Sequence, residues 1–338
     1  MLLQQRYTPI LSLRTLILLI GLLVIALVSI IFALLVGSIE IGMPQLLLAL
    51  GAESHSLEAR VIQEIRLPRV CSGFVVGAML ALAGALMQVL LRNPLAEPYV
   101  LGVSGGASVF ALAAMIAGFS GIWINLGAFT GAMVSILLVF GLSRLGGEWN
   151  PMRILLTGVV VASGWGALIS FMLAISPAVR IHGMLFWLMG DLGYATFSWL
   201  ALSILLSALL VSMFIARSLN LLARGDQQAA ALGVPVERLR YLVYFLSSLL
   251  TATAVMQAGS IGFIGLIIPH LVRLLIGSDH RLLLPVSVVL GGSLLVIADG
   301  LARWIISPQQ LPVGVLTAMI GVPIFLVLLQ SIVIRQRP

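Results

Sequence analysis

Residues 217–240 read RSLNLLARGDQQAAALGVPVERLR, an unusually polar stretch in a chain of 338 residues that is 61% hydrophobic and only 9% charged. We call it the polar segment. It is predicted to be folded, because Gly225 and Asp226 can cap a short helix that runs through Leu232. Gly233 can end that helix, and Pro235 can open a second one at its first position. An ordered polar unit in so apolar a chain is expected to face a partner.

The rest of the composition indicates a membrane protein. Mean hydropathy is +1.19, and the polar residues are too few to cover a soluble globule of this length. We therefore predict an all-α, polytopic membrane protein, a single transmembrane domain over residues 1–338. A spanning helix needs roughly 20 apolar residues. Ten segments approach that length, at about 15–37, 70–91, 99–118, 123–143, 153–174, 196–216, 241–257, 263–276, 283–304 and 312–334.

Two of these ten segments do not look like simple spans. Segment 99–118 opens with several glycines, and segment 263–276 is short and contains Pro269, His270 and Arg273. Broken or short helices at membrane depth are tolerated only where protein or a water-filled cavity surrounds them. His270 is expected to be a satisfied packing residue, with a ligand or gate as the alternative.

The distribution of arginine predicts the orientation. With the N-terminus inside, thirteen arginines fall on the inner side and five on the outer side, an asymmetry typical of the positive-inside rule. Both termini and the polar segment are then cytoplasmic. The inner set is Arg6, Arg14, Arg92, Arg144, Arg153, Arg217, Arg224, Arg238, Arg240, Arg273, Arg281, Arg335 and Arg337, and the outer set is Arg60, Arg66, Arg69, Arg180 and Arg303.

Several function classes lack support in the sequence. All eighteen basic residues are arginine, so the chain cannot contain the GxxxxGK[ST] phosphate loop, and any ATP that drives it must bind another subunit. The single cysteine, Cys71, excludes an intramolecular disulfide and a multi-cysteine metal site. No catalytic constellation appears, and the net charge of +7 is explained by topology, not nucleic acid. We expect no enzyme activity, cofactor or metal in this chain.

Two features leave alternatives open. An ion-coupled secondary transporter would carry ionisable groups deep in its helices. Asp299 is the main candidate, but Arg303 lies four residues on and favours a structural ion pair. Small residues also recur every four positions on the second and fifth segments, which favours close helix packing within the chain, or a subunit interface or translocation path. These stripes are Gly73, Gly77, Ala81 and Ala85, and Gly158, Ala162, Gly166, Ser170 and Ala174.

Three separated runs carry a family resemblance. They are Ile65-Arg66-Leu67-Pro68-Arg69; Arg92-Asn93-Pro94-Leu95-Ala96-Glu97-Pro98 with Leu101-Gly102-Val103-Ser104; and Gly262-Phe263-Ile264-Gly265-Leu266-Ile267-Ile268-Pro269-His270 with Asp279-His280-Arg281. A further run that carries the resemblance opens the last segment: Leu311-Pro312-Val313-Gly314-Val315. Together they resemble the FecCD-type permeases, the membrane subunits of type II ABC importers for iron-siderophore complexes, haem, vitamin B12 and similar chelates. The likeness runs from about residue 60 to 330.

The resemblance implies partners and a cargo. The permease would pair with a second copy or a paralogue, and two cytoplasmic ATPase subunits would bind ATP and Mg²⁺. A periplasmic binding protein would deliver the substrate, and the complex would lie in a bacterial inner membrane. An iron chelate is the expected cargo. Haem, vitamin B12 and a molybdate-type oxyanion are the alternatives within this architecture.

The resemblance also implies three sets of site residues. The loop between the sixth and seventh spans couples to the ATPase in this family, and outer arginines pair with glutamates of the binding protein. In the family's vitamin B12 member, the Asn-Pro-Leu loop forms the cytoplasmic gate with two small hydroxyl residues, where this chain has proline and methionine. The coupling set is Ala223, Arg224, Gly225, Asp226, Gln227, Ala230, Leu232, Gly233, Val234, Pro235 and Glu237; the docking set is Arg66, Arg69 and Arg303; the gate set is Asn93, Leu95, Pro151 and Met152.

Overall fold

The computed structural model describes residues 13–37, 39, 41–51, 56–144, 150–193 and 195–335. Within these ranges every regular element is a helix, which confirms the all-α prediction. The predicted inner positions of Arg6 and Arg337 lie outside the described residues. The α-helices of the described part are α1 Leu13–Leu35, α2 Met43–Leu50, α3 Leu57–Arg60, α4 Leu67–Leu90, α5 Val103–Ile116, α6 Ile122–Arg144, α7 Pro151–Ile175, α8 Ala178–Met189, α9 Trp199–Phe214, α10 Ala216–Leu222, α11 Asp226–Ala231, α12 Val236–Ala258, α13 Ile264–Ile276, α14 His280–Trp304 and α15 Val313–Arg335.

All ten predicted segments fall on helices, but these differ in length. Among the described residues, six helices are long and apolar enough to cross a membrane, and the pair α9 and α10, bent by 65°, adds a seventh if counted as one span. Helices α5 and α13 have 14 and 13 residues. At 1.5 Å per residue they reach about 20 Å, less than the roughly 30 Å of a bilayer core. The two segments suspected of being broken are thus short helices.

Helix α4 is the central element of the bundle. Most of its side chains are buried, and it packs against α14, α12 and α13. Glycines permit this closeness: a Cβ at Gly84 would lie 1.9 Å from the Gly265 carbonyl oxygen, and one at Gly77 would lie 2.3 Å from that of Gly291. In a lipid environment such backbone contact takes the place of the hydrophobic effect in holding helices together. The predicted small-residue stripe on this helix therefore packs within the chain.

Helix α7 is almost unburied by contrast. Of its 25 residues, all described, only Ile154 and Gly158 are buried. A Cβ at Gly158 would meet the Val100 carbonyl oxygen at 2.3 Å, whereas one at Gly166 would have no described atom within 4 Å. The stripe on α7 therefore packs within the chain at its first turns and is free beyond them.

The length of α4 separates the two ends of the bundle. Arg66 and Arg69 lie at its start, Arg92 lies just past its end, and its 24 residues span about 36 Å. Asp226 of the polar segment contacts Arg92, and Arg303 shares Asp299 with Arg69. The polar segment thus lies at one end, which we call the polar-segment end. The three arginines of the predicted docking set lie at the opposite end, as the arginine pattern predicts.

Candidate functional site

The polar segment folds as predicted. Helix α11 spans Asp226–Ala231 after Gly225, and the chain turns at Gly233. Gly225 and Gly233 have φ angles of 130° and 81°, a region where side chains are disfavoured, so glycine is required at both positions. Helix α12 begins at Val236, directly after Pro235. The second predicted helix is therefore the start of α12 itself, continuous with the seventh predicted span.

The polar segment has a packed face and a free face. Leu219, Leu222 and Ala229 are buried against the bundle, while the side chain of Leu232 is 66% exposed. The side chains of Gln227 and Ala230 are also exposed. An apolar side chain on a small ordered helix pair, surrounded by polar groups, is typical of a protein contact surface. The segment is thus fixed to the bundle on one side and presents Leu232 on the other.

Ion pairs fasten the polar segment to neighbouring elements. Asp226 contacts Arg92, which follows α4, and Arg240 of α12. Glu237 lies 3.7 Å from Arg144 at the end of α6 and accepts a 2.8 Å hydrogen bond from the Tyr241 hydroxyl. The sequence prediction placed Asp226 and Glu237 on a surface that faces the ATPase. The structure shows that both also contact residues of their own chain.

The predicted gate residues lie in the ordered turn after α4 and at the start of α7. The Asn93 side-chain oxygen accepts a 2.9 Å hydrogen bond from the backbone N–H of Leu95, which fixes the turn that follows α4. Asn150 caps α7 through the N–H of Met152 at 2.9 Å, with Pro151 at the first helical position. The Met152 side chain is 61% exposed. That these four residues seal a pathway stays a prediction.

The three arginines of the predicted docking set are buried within this chain, and their pairing with a binding protein stays a prediction. Arg66, Arg69 and Arg303 are only 4%, 6% and 5% exposed. Arg66 donates to the carbonyl oxygens of Leu34 at 2.6 Å and Leu35 at 3.0 Å, at the end of α1. The guanidinium of Arg66 therefore has its hydrogen-bond partners within this chain.

The C-terminus of α1 explains why these arginines are buried. The last carbonyl groups of a helix have no intrahelical donor and carry partial negative charge, which cations satisfy. Arg303 donates to the carbonyl oxygens of Ala33 at 2.9 Å and Val36 at 3.0 Å. Together with Arg66 it closes the end of α1. Loop position in the sequence suggested exposure, but the free carbonyls of α1 needed donors.

Asp299 completes this cluster as an ion pair. It accepts from Nη2 of Arg69 at 2.7 Å and from Nε of Arg303 at 3.1 Å, and Asp191 lies 3.7 Å from Arg69. The predicted pair with Arg303 is confirmed and extended to a second arginine. Burial raises the pKa of the Asp191 carboxyl, although Arg69 acts to lower it. Because Asp299 is held by two guanidinium groups, the structure favours a structural role over a proton relay.

Two polar residues that sequence reasoning did not single out join the second and third resemblance runs. Glu97 accepts a 2.8 Å hydrogen bond from the N–H of Phe263, and the Tyr99 hydroxyl accepts a 3.2 Å bond from the N–H of Ile261. These amides precede α13 and have no helical partner of their own. The buried break between α12 and α13 is thus satisfied by the turn before α5. Glu97 lies within the second run and Tyr99 directly follows its first part, and this position was the available signal.

A second missed junction links α10 to α14. Asn220 donates to Asp279 at 2.8 Å and accepts from the N–H of His280 at 2.9 Å. Burial acts to raise the pKa of the Asp279 carboxyl, but hydrogen bonds from Asn220 and the Arg281 amide outweigh it and hold that pKa below its usual value. The polar segment is therefore anchored at its first helix as well as at Asp226.

His270 is only partly as predicted. Its side chain is buried, at 8% exposure, as expected of a packing residue. Neither ring nitrogen has a hydrogen-bond partner among the described residues, so the expectation of a satisfied histidine is not met.

The chain is similar to known permeases along most of its length. It is 42% identical over 284 residues to the hemin transport system permease protein HmuU of Yersinia pestis, covering 81% of this chain and 83% of that protein. It is 41% identical over 278 residues to the cobalamin import system permease protein BtuC of Halobacterium salinarum, covering 81% and 74%.

A solved structure agrees with these relatives. An inward-facing ABC transporter of the metal-chelate type superimposes with a TM-score of 0.81 at 32% identity, covering 93% of this chain and 99% of that one. The model of the FecCD transport family matches residues 23–331. This chain, with its central α4, its short α5 and α13 and its ordered polar segment, therefore belongs to the FecCD transport family, the membrane permeases of ABC importers.

Proposed function

We propose that this chain moves an iron chelate into the cell by alternating access, driven by a separate ATPase that binds the polar segment. The observation that carries the proposal is the polar segment itself. It is anchored to the bundle through Asn220 and Asp226 and presents the 66% exposed side chain of Leu232. A rigid attachment on one side and an apolar contact residue on the other are what a force-transmitting docking site requires.

The names of the similar proteins bear on the class of cargo. The similar permeases are named for hemin and cobalamin, and the solved neighbour is of the metal-chelate type. All three are large chelates that carry a metal, which supports an iron chelate as the cargo class. Haem, vitamin B12 and a molybdate-type oxyanion are the alternatives within the same architecture.

Pairing with a second copy is part of the proposal. Helix α7 exposes nearly its whole length, and Gly166 would accept a close neighbour without a clash. A two-fold pair would place a pathway between two such bundles, with both termini in the cytoplasm of a bacterial inner membrane. A periplasmic binding protein would deliver the cargo at the opposite end. The buried set Arg66, Arg69 and Arg303 is not proposed as its contact.

A matched pair of leucines tests ATPase docking. Leu232→Ala removes the exposed apolar contact of the polar segment, and burial of a leucine side chain contributes about 1.5–3 kcal/mol. We expect the affinity for the ATPase subunit to fall by about tenfold or more, measured by titrating labelled ATPase onto nanodisc-embedded permease. Leu48→Ala, on α2 at the opposite end with 69% exposure, is the control. Equal affinities for the two variants would contradict the docking assignment.

Transport assays separate the cargo and the power source. Proteoliposomes that contain the permease, its ATPase and its binding protein are supplied with ferric citrate, ferrichrome, hemin, cyanocobalamin or molybdate. We expect ATP-dependent uptake of ferric citrate or ferrichrome. Uptake of only hemin, cobalamin or molybdate would overturn the cargo and leave the importer in place. Uptake driven by an ion gradient, without any ATPase, would overturn the whole proposal in favour of a secondary transporter.

A further inference from the structure

One carboxylate joins three elements at the polar-segment end. Asp226 is the first residue of α11, and a single oxygen, Oδ2, contacts both Arg92 and Arg240. Arg240 is buried in α12, at 8% exposure, whereas the side chains of Arg92 and Asp226 are partly exposed. Asp226 thus lies between a fixed arginine on α12 and an arginine on the turn that leaves α4.

Arg92 has a backbone conformation that favours glycine over a residue with a side chain. Arg92 has φ of 47°, a left-handed conformation that usually calls for glycine. Its N–H bonds to Val89 at 3.2 Å, and the N–H of Asn93 bonds to Gln88 at 3.2 Å, the pair of contacts that closes a Schellman motif. Glycine would fit this position better than arginine does. What the arginine adds is its guanidinium group, and that group contacts Asp226.

The turn held in this way is the predicted gate loop. Asn93 follows Arg92 directly, and its side chain fixes the N–H of Leu95 at 2.9 Å. Gln88, which closes the motif, also accepts a hydrogen bond from Arg273 of α13. A displacement of Arg92 therefore acts directly on the Asn93 turn, and it reaches the short helix α13 only through the bond from Asn93 to Gln88 and the contact of Gln88 with Arg273.

We propose that Asp226 is the positioning residue through which movement of the polar segment reaches the Arg92–Leu95 turn. The proposal rests on the proposed function, because it needs an ATPase that moves α11. When α11 shifts, its carboxylate carries the Arg92 guanidinium with it, while Arg240 holds the alignment of the carboxylate on α12. The charge of Asp226 holds the two arginines together. Without this carboxylate, the guanidinium groups of Arg92 and Arg240 would repel each other.

A cysteine reporter tests the link without knowledge of the cargo. The chain has a single cysteine, Cys71, so Leu95→Cys in a Cys71→Ser background gives one thiol on the turn. The complex of permease, ATPase and binding protein is placed in nanodiscs. The rate of maleimide labelling is measured without nucleotide and with ATP plus vanadate. The ratio of these rates reports how strongly the turn responds to the ATPase.

Two variants break the link from its two sides. Asp226→Asn keeps the shape of the side chain and removes its charge. Arg92→Gly removes the guanidinium at a position where the backbone favours glycine, so misfolding of the turn does not explain its effect. We expect the reporter ratio to fall by about fivefold or more in both. ATPase binding and ATP hydrolysis should be retained in Arg92→Gly, which lies outside the predicted coupling set, and both are also measured in Asp226→Asn. Asp226→Glu should recover most of the ratio. Arg60→Gln, which neutralises an exposed arginine on α3 at the opposite end, should leave it unchanged.

The experiment distinguishes failure of the Asp226 link from failure of the proposed function. An unchanged reporter ratio in Asp226→Asn or in Arg92→Gly, with the complex intact, overturns the link. Loss of ATPase binding in Asp226→Asn together with a normal ratio in Arg92→Gly also overturns it, because Asp226 would then only stabilise α11. If the parent permease fails to bind any ATPase, the proposed function itself fails, and this result appears before any variant is made.

Discussion

Neutralising Asp299 gives a sharp test of the buried cluster at the opposite end. Asp299 is the shared acceptor for Arg69 and Arg303, at 2.7 Å and 3.1 Å. Asp299→Asn keeps the size of the side chain but replaces one oxygen with an NH₂ group that faces guanidinium donors. Asp191, 3.7 Å from Arg69, would be the one remaining carboxylate recorded near either arginine in the described part of the chain.

The expected cost follows from burial. The side chains of Asp299 and Arg303 are 3% and 5% exposed, so solvent cannot replace the lost partner. Removing one member of a buried ion pair costs about 3–5 kcal/mol, mostly as the penalty of an uncompensated charge. At roughly 2 °C per kcal/mol for a chain of this size, the midpoint of thermal unfolding should fall by about 6–10 °C.

The assay uses the chain's own thiol. Cys71 is half-buried, two residues beyond Arg69 on α4, and it is the single cysteine of the sequence. A thiol-reactive dye that becomes fluorescent on binding therefore reports when this part of α4 opens on heating. The matched control is Glu64→Gln, which neutralises an exposed acid at the same end.

The Glu64→Gln control sets the size of change expected when an exposed acid is neutralised. Exposed substitutions stay within about 0.5 kcal/mol, so Glu64→Gln should move the midpoint by about 1 °C or less. An equally small change in Asp299→Asn would refute the reasoning. It would show that the α1 carbonyl groups and Asp191 suffice for both arginines, and that Asp299 does not carry the structural role assigned to it.

Three further predictions concern packing, hydrogen bonding and pH. Gly84→Ala should lower the unfolding midpoint through about 1–3 kcal/mol of overpacking against the α13 backbone, whereas Gly141→Ala at an exposed position of α6 should raise it slightly; equal shifts would contradict the close contact. Glu97→Ala should cost about 1–3 kcal/mol by orphaning a buried amide, and Glu97→Gln, which keeps an acceptor, should cost less. The pKa of Asp279 is lowered, so its contribution is present above its unfolded pKa, near 4, and is lost as the pH falls through the lowered value. The midpoint advantage of the parent over Asp279→Asn should therefore shrink from pH 7 to pH 3, and a constant advantage would contradict this assignment.

Much of the fold could be predicted because membrane insertion imposes simple rules on sequence. Helix is the one unpaired element that satisfies its own backbone in lipid, so apolar runs located all ten segments. Glycine and proline at positions 225, 233 and 235 located the boundaries of the polar segment for the same local reason. The brevity of α5 and α13 was visible in their glycines and in Pro269.

Side-chain partners across the bundle could not be predicted in this way. The burial of Arg66, Arg69 and Arg303 could not be predicted, because nothing in the local sequence shows that the C-terminus of α1 lacks donors and lies beside them. Glu97 and Tyr99 were passed over for a similar reason, since the amides they satisfy lie more than 160 residues away. Their partners exist only after the helices have packed.

The amino-acid sequence by itself thus determined the helical class, the apolar segments, the ordered polar segment and the lack of the GxxxxGK[ST] phosphate loop. These follow from hydropathy, local backbone preference and the absence of lysine, which act over a few residues at a time. Tertiary structure alone decided that three arginines are buried and that Asp226 bridges Arg92 and Arg240. Both are long-range matches of charge with unsatisfied groups, and such matches depend on which helix ends the packed bundle brings together.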